Sequence, residues 1–349
     1  MHHGKTTAAL LGGGGFIGSH LVKRLAGDGG YRAVCLDISE EKLKKIAPAG
    51  GYEFHACDIR RDNSPAEEII EQADIVVDLI AYATPSLYLE MPIEVVKLNF
   101  FENLKIAESC MRSRKPLVQF STCEVYGKSG GKSEPFNEDK TDIIMGPVCK
   151  QRWIYSCAKQ LLERMLYAWG EEGSLDYLII RPFNFIGPEM DYVVTEEEVQ
   201  GKPRVFPEFI SALLFNRPMK LVDGGSSRRT FTHIDDAVEG IVLCLKQFDN
   251  FRNQIVNVGN PENEISIRDL AHLMRDIYEK LGGEKSLSQI KEVAGAQYYG
   301  PGYDDCDRRI PDITKLSKAG WKPRYGLHDT MADIIGYYLK NYRKIPKQN

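Results

Sequence analysis

Four glycines in the run GGGGFIG follow directly on the β-rich stretch TTAALL and open a helical pattern, placing Gly12, Gly15 and Gly18 three apart. A strand–turn–helix junction of this kind allows a tight turn and lets the backbone approach an anion closely. The free N–H groups and dipole of the helix then face that anion. The next β-rich run ends at Asp37, nineteen residues past Gly18. A carboxylate there accepts from the two hydroxyls of a ribose and repels a 2′-phosphate. The junction therefore predicts a dinucleotide on the helix N-terminus, with NAD favoured over NADP.

The chain around this junction has the matching periodicity. TTAALL, AVCLD, YEFHACD, IVVDLI, PLVQF and YLIIRPF start at Thr6, Ala33, Tyr52, Ile75, Pro116 and Tyr177, and each is apolar almost throughout, as strands covered on both faces are. Between them, apolar residues recur at three and four in 16–25, 92–111 and 154–169, the mark of crossover helices. These runs predict an α/β fold, a Rossmann-type doubly wound parallel sheet over residues 5–184 that later strands or helices can return to join. From 185 to 345 the pattern loosens into short strand-like pieces (MKLV, TFTHI, QIVNV) and helices around Phe206, Asp235, Ser266 and Leu327. This is the expectation of a smaller mixed α/β substrate-binding lobe. The polar, acidic connection 189–203 reads as a mobile loop or an ordering lid.

Composition narrows the partners. With 349 residues, 43% of them hydrophobic, the chain can bury a sizeable core. Its 45 basic and 49 acidic residues leave a formal charge of −4, which excludes a generally basic surface for nucleic acid or an anionic membrane. Any anionic ligand must be met by a local cluster. Eight cysteines lie scattered without metal-ligand or disulfide-framework spacing, so no metal is expected and a reducing cytoplasmic setting is the simplest. No stretch approaches the length of a membrane span and no signal-peptide pattern opens the chain.

Further along, Tyr155-Ser156-Cys157-Ala158-Lys159 sits at the start of a helical pattern, where tyrosine and lysine at i and i+4 share a face. A neighbouring ammonium, together with a positive nicotinamide, lowers a phenol towards neutrality. Tyr155 could then act as general base on a sugar hydroxyl while Lys159 holds the nicotinamide ribose. The two motifs in this order, with Asp58-Ile59 after the third β run and Ala81 after the fourth, resemble the extended short-chain dehydrogenase/reductase superfamily. That resemblance implies cofactor contacts from Phe16, Ile17, Asp58, Ile59, Ala81, Thr84 and Asn99 beside the glycines, Asp37, Tyr155 and Lys159.

The segment 146–188, with KLVDGG, RRTFTHIDDAVE, VNVGNPENEISI and YYGPGYDDCDRRIPDI beyond it, is similar to the UDP-glucuronic acid decarboxylase branch of that superfamily. The branch includes the decarboxylase half of a bacterial polymyxin-resistance enzyme and the plant UDP-apiose/UDP-xylose synthases. The resemblance covers essentially the whole chain and implies a UDP-glucuronic acid or related UDP-sugar substrate and a homodimer paired through two long helices. It makes Thr122 the support of the reacting hydroxyl, and Glu124 and Arg309 the acid/base and carboxylate-contacting residues. It places Arg152 near the sugar carboxylate, and Asn184 and Arg229 on the diphosphate. Tyr303 stacks at the uracil, Arg204 lies near the nucleotide, and Lys220 belongs to the same substrate set.

Cys123 matches the apiose-forming members, but their second cysteine, after the fourth strand, is replaced here by Ala83. Three outcomes diverge from the 4-keto intermediate: release of UDP-4-keto-pentose, return of hydride to give UDP-xylose, or ring contraction to UDP-apiose. UDP-sugar 4-epimerisation shares the cofactor, Tyr155 and Lys159 and is the alternative reaction. A dehydratase is disfavoured because its usual Asp-Glu pair is Cys123-Glu124 here. A non-enzymatic NAD-binding regulatory protein is the remaining alternative.

Overall fold

The computed structural model describes residues 4–190, 204–283, 289–301 and 303–342. Six strands precede residue 184: β1 (Thr6–Leu11), β2 (Tyr31–Asp37), β3 (Tyr52–Ala56), β4 (Ile75–Asp78), β5 (Leu117–Phe120) and β6 (Tyr177–Pro182). Eight more follow: β7 (Phe185–Ile186), β8 (Met219–Val222), β9 (Arg228–Thr230), β10 (Thr232–His233), β11 (Gln254–Val258), β12 (Glu264–Ser266), β13 (Ile290–Val293) and β14 (Arg308–Arg309).

The main sheet is parallel throughout, in the order β11-β6-β5-β4-β1-β2-β3. Its order reverses between β1 and β4, so the crevice outside their carboxyl ends is where an open α/β sheet takes its ligand. Successive residues of one strand feed opposite faces: Ala8 and Leu10 join one apolar cluster, Ala9 and Leu11 the other. Both faces are covered, which is why these strands read as continuous apolar runs.

Two expectations need correction. QIVNV does not stay in the second lobe: β11 returns to the main sheet beside β6, with Val256, Asn257 and Val258 buried. The helix Ile234–Lys246 that precedes it packs on Phe16–Asp28, so a later strand and helix return across the division at residue 184. The stretch TFTHI is not one strand either. β9 pairs with β12 and β14, while β10 pairs with β7, and buried Phe231 lies at the break.

The pattern over 92–111 also resolves into three pieces: helix Pro92–Val96, a π-helical turn Lys97–Glu102, and helix Asn103–Ser113. Such turns insert an extra residue and re-aim side chains. Here Asn99 and Asn103 are both fully buried. Among the described residues no helix is long and apolar enough to cross a membrane, and no group of three His, Cys, Asp or Glu could hold a metal ion.

Candidate active site

The glycine turn works by lacking side chains. Gly12 has φ +84°, and a Cβ there would lie 3.0 Å from the Ile80 nitrogen; one on Gly18 would lie 2.5 Å from the Gly12 oxygen. The helix Phe16–Asp28 can therefore start directly above the turn. Asp37 steadies it, accepting from Gly14 N–H at 2.9 Å and Ile38 N–H at 2.6 Å. Burial pushes the Asp37 carboxyl up, and these backbone N–H groups oppose it. A slot of about 240 Å³ beside it is lined by Leu36, Asp37, Asp58, Ile59, Ala81 and Tyr82 among others. An apolar slot with the Asp37 carboxylate at its rim, next to a turn only glycine can make, suits an adenosine and its pyrophosphate. Asp58 is already paired with Arg60, at 2.7 and 2.6 Å.

A second cleft, of about 320 Å³, runs from Gly12, Gly15, Phe16, Ile17 and Gly18 past Ala81 and Thr84 to Thr122, Cys123, Glu124, Tyr155 and Arg309. Tyr155 is buried and stacks on Tyr88 with ring centres 4.7 Å apart. The Thr122 hydroxyl hydrogen-bonds the Tyr155 phenol, and Thr122 Oγ1 also accepts from Glu124 N–H at 3.1 Å. Burial pushes the Cys123 thiol up to about 11, so it is a neutral thiol near pH 7.

Lys159 does not line this cleft. It is buried behind the wall, donating to Phe120 O at 3.0 Å and Asn103 Oδ1 at 3.2 Å. The expectation that it draws the Tyr155 phenol towards neutrality is not met by the protein's own groups. Burial pushes Tyr155 up, the Glu124 charge adds to that, and the Thr122 hydrogen bond opposes both. Burial in turn pushes Lys159 down to about 8, against the pull of Asp78 and Glu163. Asn99 does not line the cleft either: its side chain accepts from Tyr82 N–H and donates to Tyr82 O and Val95 O. It shapes the loop that carries Ala81 and Thr84.

The charged residues converge. Arg152 grips Glu124 with both arms, at 2.6 and 2.9 Å, and Arg309 Nη1 lies 3.5 Å from the same carboxylate. Arg309 and Arg229 then share Asp305, at 3.0 and 2.7 Å, and the Tyr303 hydroxyl donates to it at 3.1 Å. Burial alone would raise the Glu124 carboxyl, but Arg152 and Arg309 hold it below the usual range. Arg229, Arg309 and Arg152 likewise outweigh burial at Asp305 and hold its carboxyl low. The buried Arg152 and Arg309 keep Nε–H groups without an acceptor among the described residues. Three guanidiniums against two carboxylates leave this cluster one positive charge.

A third cleft, of about 470 Å³, adjoins the second at Glu124, Asn184, Arg204 and Arg309, and all seven expected substrate residues border it: Arg152, Asn184, Arg204, Lys220, Arg229, Tyr303 and Arg309. Tyr303 stacks on Tyr299 with centres 4.4 Å apart, and Lys220 Nζ lies 5.6 Å from the Tyr298 ring centre. Asn184 donates to Thr230 O at 2.9 Å. Sequence reasoning missed Asp305, Tyr88 and Tyr299. A signal for Asp305 was the acidic run YDDCD beside Arg309. Of the connection 189–203, residues 191–203 lie outside the described residues. At its start Glu189 is held by Lys45, Tyr337 and Tyr342 at 3.0, 2.9 and 2.7 Å.

Residues 8–259 match the NAD dependent epimerase/dehydratase family. The chain is 39% identical to UDP-D-apiose/UDP-D-xylose synthase 1 of Arabidopsis thaliana, covering 98% of this chain and 93% of that protein. It is 40% identical to the UDP-D-apiose/UDP-D-xylose synthase of Oryza sativa subsp. japonica, over 98% and 91%. Among solved structures, the PbgP3 protein of Burkholderia pseudomallei is similar with a TM-score of 0.85 and 31% identity over 97% of each chain. UDP-glucuronic acid 4-epimerase of Bacillus cereus, solved with UDP-4-deoxy-4-fluoro-glucuronic acid and NAD, has a TM-score of 0.79 over 97% of this chain and 100% of that one. At 22% identity it shows the fold alone. With the glycine turn, the YxxxK pair and the seven-stranded sheet in place, the chain belongs to the NAD dependent epimerase/dehydratase family.

Proposed function

We propose that the protein uses NAD to oxidise and decarboxylate UDP-glucuronic acid through a 4-keto intermediate, with UDP-4-keto-pentose, UDP-xylose and UDP-apiose as the products open to it. The observation that carries this reading is the buried cluster of Glu124, Arg152, Arg309, Asp305 and Arg229, placed where the cofactor cleft meets the larger cleft. A site for a neutral hexose has no need of three buried guanidiniums. A sugar with a carboxylate at C6 and a diphosphate at C1 does.

The glycine turn would hold the pyrophosphate of NAD and Asp37 its adenosine ribose, while Lys159, behind the cleft wall with N–H groups committed to Asn103 and Phe120 O, would turn its third N–H to the nicotinamide ribose. When bound, NAD supplies the acceptor for the hydride of C4. Tyr155 takes the proton of the 4-hydroxyl, and Thr122, already bonded to the phenol, supports that oxygen. The ketone at C4 leaves the C6 carboxylate β to a carbonyl, and loss of carbon dioxide forms an enolate on O4. The protonated Tyr155 donates to that oxygen as charge develops. Arg309 and Arg152 orient the carboxylate, and Glu124 guides protonation at C5.

Homodimerisation is part of the proposal. Ile93, Phe101, Leu161 and Tyr167 are 64%, 51%, 47% and 53% exposed on helices Pro92–Val96 and Ile154–Glu171 and the π-helical turn, an apolar face that a second copy would cover. A cytoplasmic setting suits the eight unpaired cysteines. The functional reading is tested with purified protein, NAD and UDP-glucuronate. Carbon dioxide is expected from the wild type and none from Tyr155→Phe; a wild type that binds the nucleotide sugar and leaves it unchanged contradicts the reading.

A further inference from the structure

Behind the cleft wall lies a carboxylate that the mechanism above does not use. Asp78, the last residue of β4, is 0% exposed. Its Oδ1 accepts from Ile80 N–H at 3.0 Å, and its Oδ2 accepts from Asn103 Nδ2 at 2.8 Å and Gln119 Nε2 at 3.0 Å. We infer that Asp78 is a positioning residue for Lys159, acting through the side chain of Asn103. The inference rests on the proposed role of Lys159 in holding the nicotinamide ribose.

The Asn103 amide can face only one way. A carboxylate only accepts and an ammonium only donates. Asn103 stands between the two, so its NH₂ must turn to Asp78 and its oxygen to Lys159 Nζ, 3.2 Å away. The opposite orientation would set donor against donor and acceptor against acceptor. Asn103 Nδ2 also reaches Ile80 O at 3.2 Å, which fixes the amide further. The π-helical turn Lys97–Glu102 ends just before Asn103, and both asparagines of that region are buried.

Charge gives the second step. The direct acceptors of Lys159, Asn103 Oδ1 and Phe120 O, are both neutral. Two carboxylates bear on the ammonium: Asp78 from β4, and Glu163 from the helix of Lys159 itself. Glu163 is already committed to Arg181 through a buried two-armed pair at 3.0 and 2.5 Å. Asp78 has no cation in direct contact among the described residues; its contacts are the three N–H donors above. Cys110 nearby is kept a neutral thiol by burial. Burial pushes the Asp78 carboxyl up, and the Lys159 charge and the three N–H donors oppose it; Asp78 is therefore the carboxylate not already committed to another cation that faces a lysine which burial drives down to about 8.

The test is the affinity of the full chain for NAD, measured by calorimetry across pH without any sugar substrate. Lys159 is depressed, so its cationic form persists below its folded pKa and is lost as pH rises through it. Asp78→Asn removes the opposing charge and depresses it further. Wild type and variant should bind NAD alike near pH 6, differ about fivefold near pH 8 and approach tenfold near pH 9, the limit that one pKa unit sets. A variant with wild-type affinity at every pH, or one weakened by the same factor at every pH, overturns the inference. Should Asp78→Asn fail to fold, Asn103→Leu keeps both charges and removes the bridge. It should bind NAD several-fold more weakly, and a folded Asn103→Leu with wild-type affinity overturns the inference. A wild type that does not bind NAD at all would instead remove the cofactor reading, and this inference with it.

Discussion

Arg152 and Glu124 face each other through two short hydrogen bonds, 2.6 and 2.9 Å, with side chains only 4% and 12% exposed. A pair so buried offers little net stability over an apolar replacement, whereas removal of one partner strands a charge. Its place between two clefts fits a site that must receive an anion.

The pair has a consequence for acid stability. The Glu124 carboxyl is lower in the folded protein than its ordinary value, so its contribution is full above the unfolded pKa, near 4.3, and is lost as pH falls through the folded one. Glu124→Gln lacks that contribution. The gap in urea midpoint between wild type and Glu124→Gln should therefore close as pH falls below about 4; a gap that stays constant contradicts the assignment.

Arg309 touches both carboxylates of the cluster, Glu124 at 3.5 Å and Asp305 at 3.0 Å. If it addresses the C6 carboxylate, Arg309→Ala should weaken UDP-glucuronate by about tenfold or more, as loss of a hydrogen bond to a charged group does, and weaken UDP-xylose much less. Equal weakening of both ligands, measured by calorimetry, would make Arg309 a structural residue.

Asp37 both anchors the glycine turn and borders the slot assigned to the adenosine. Asp37→Asn loses the acceptor-only character and the charge that repels a 2′-phosphate. The preference for NAD over NADP should narrow by about tenfold, mainly through weaker NAD binding. An unchanged ratio of the two dissociation constants would place the ribose elsewhere.

Ala83 and Cys123 line the same cleft. The resemblance to the apiose-forming enzymes implies a second cysteine at the place of Ala83, so the proposed site carries the Cys123 thiol without the second one that ring contraction would be expected to use. Ala83→Cys should raise the UDP-apiose share of the product, read by NMR of the reaction mixture. A product ratio identical to that of the wild type would mean that position 83 does not set the partition.

Much of the fold could be read from the chain because both faces of the sheet are buried, which leaves β1 to β6 as unbroken apolar runs. The strand that joins late, β11, was not assigned to the sheet: its QIVNV is as apolar as its neighbours, but nothing local tells a strand which sheet it will enter. The seven residues expected to meet the substrate border one cleft because motif matching carries position in the fold with it. Asp305 and Asp78 stayed hidden for a physical reason. Each acts through partners distant in sequence, Arg229 for one and Asn103 for the other. The direction of the Tyr155 shift was also beyond sequence, since it depends on how deeply the phenol is buried and on the Glu124 charge beside it.

The central claim is that carbon leaves the sugar. The direct measurement is the mass of the nucleotide sugar recovered after purified protein is incubated with UDP-glucuronate and NAD. The account predicts a UDP-pentose or its 4-keto form, lighter than the substrate by one carbon dioxide. A product of unchanged mass with the configuration at C4 inverted would contradict it and make the protein a 4-epimerase.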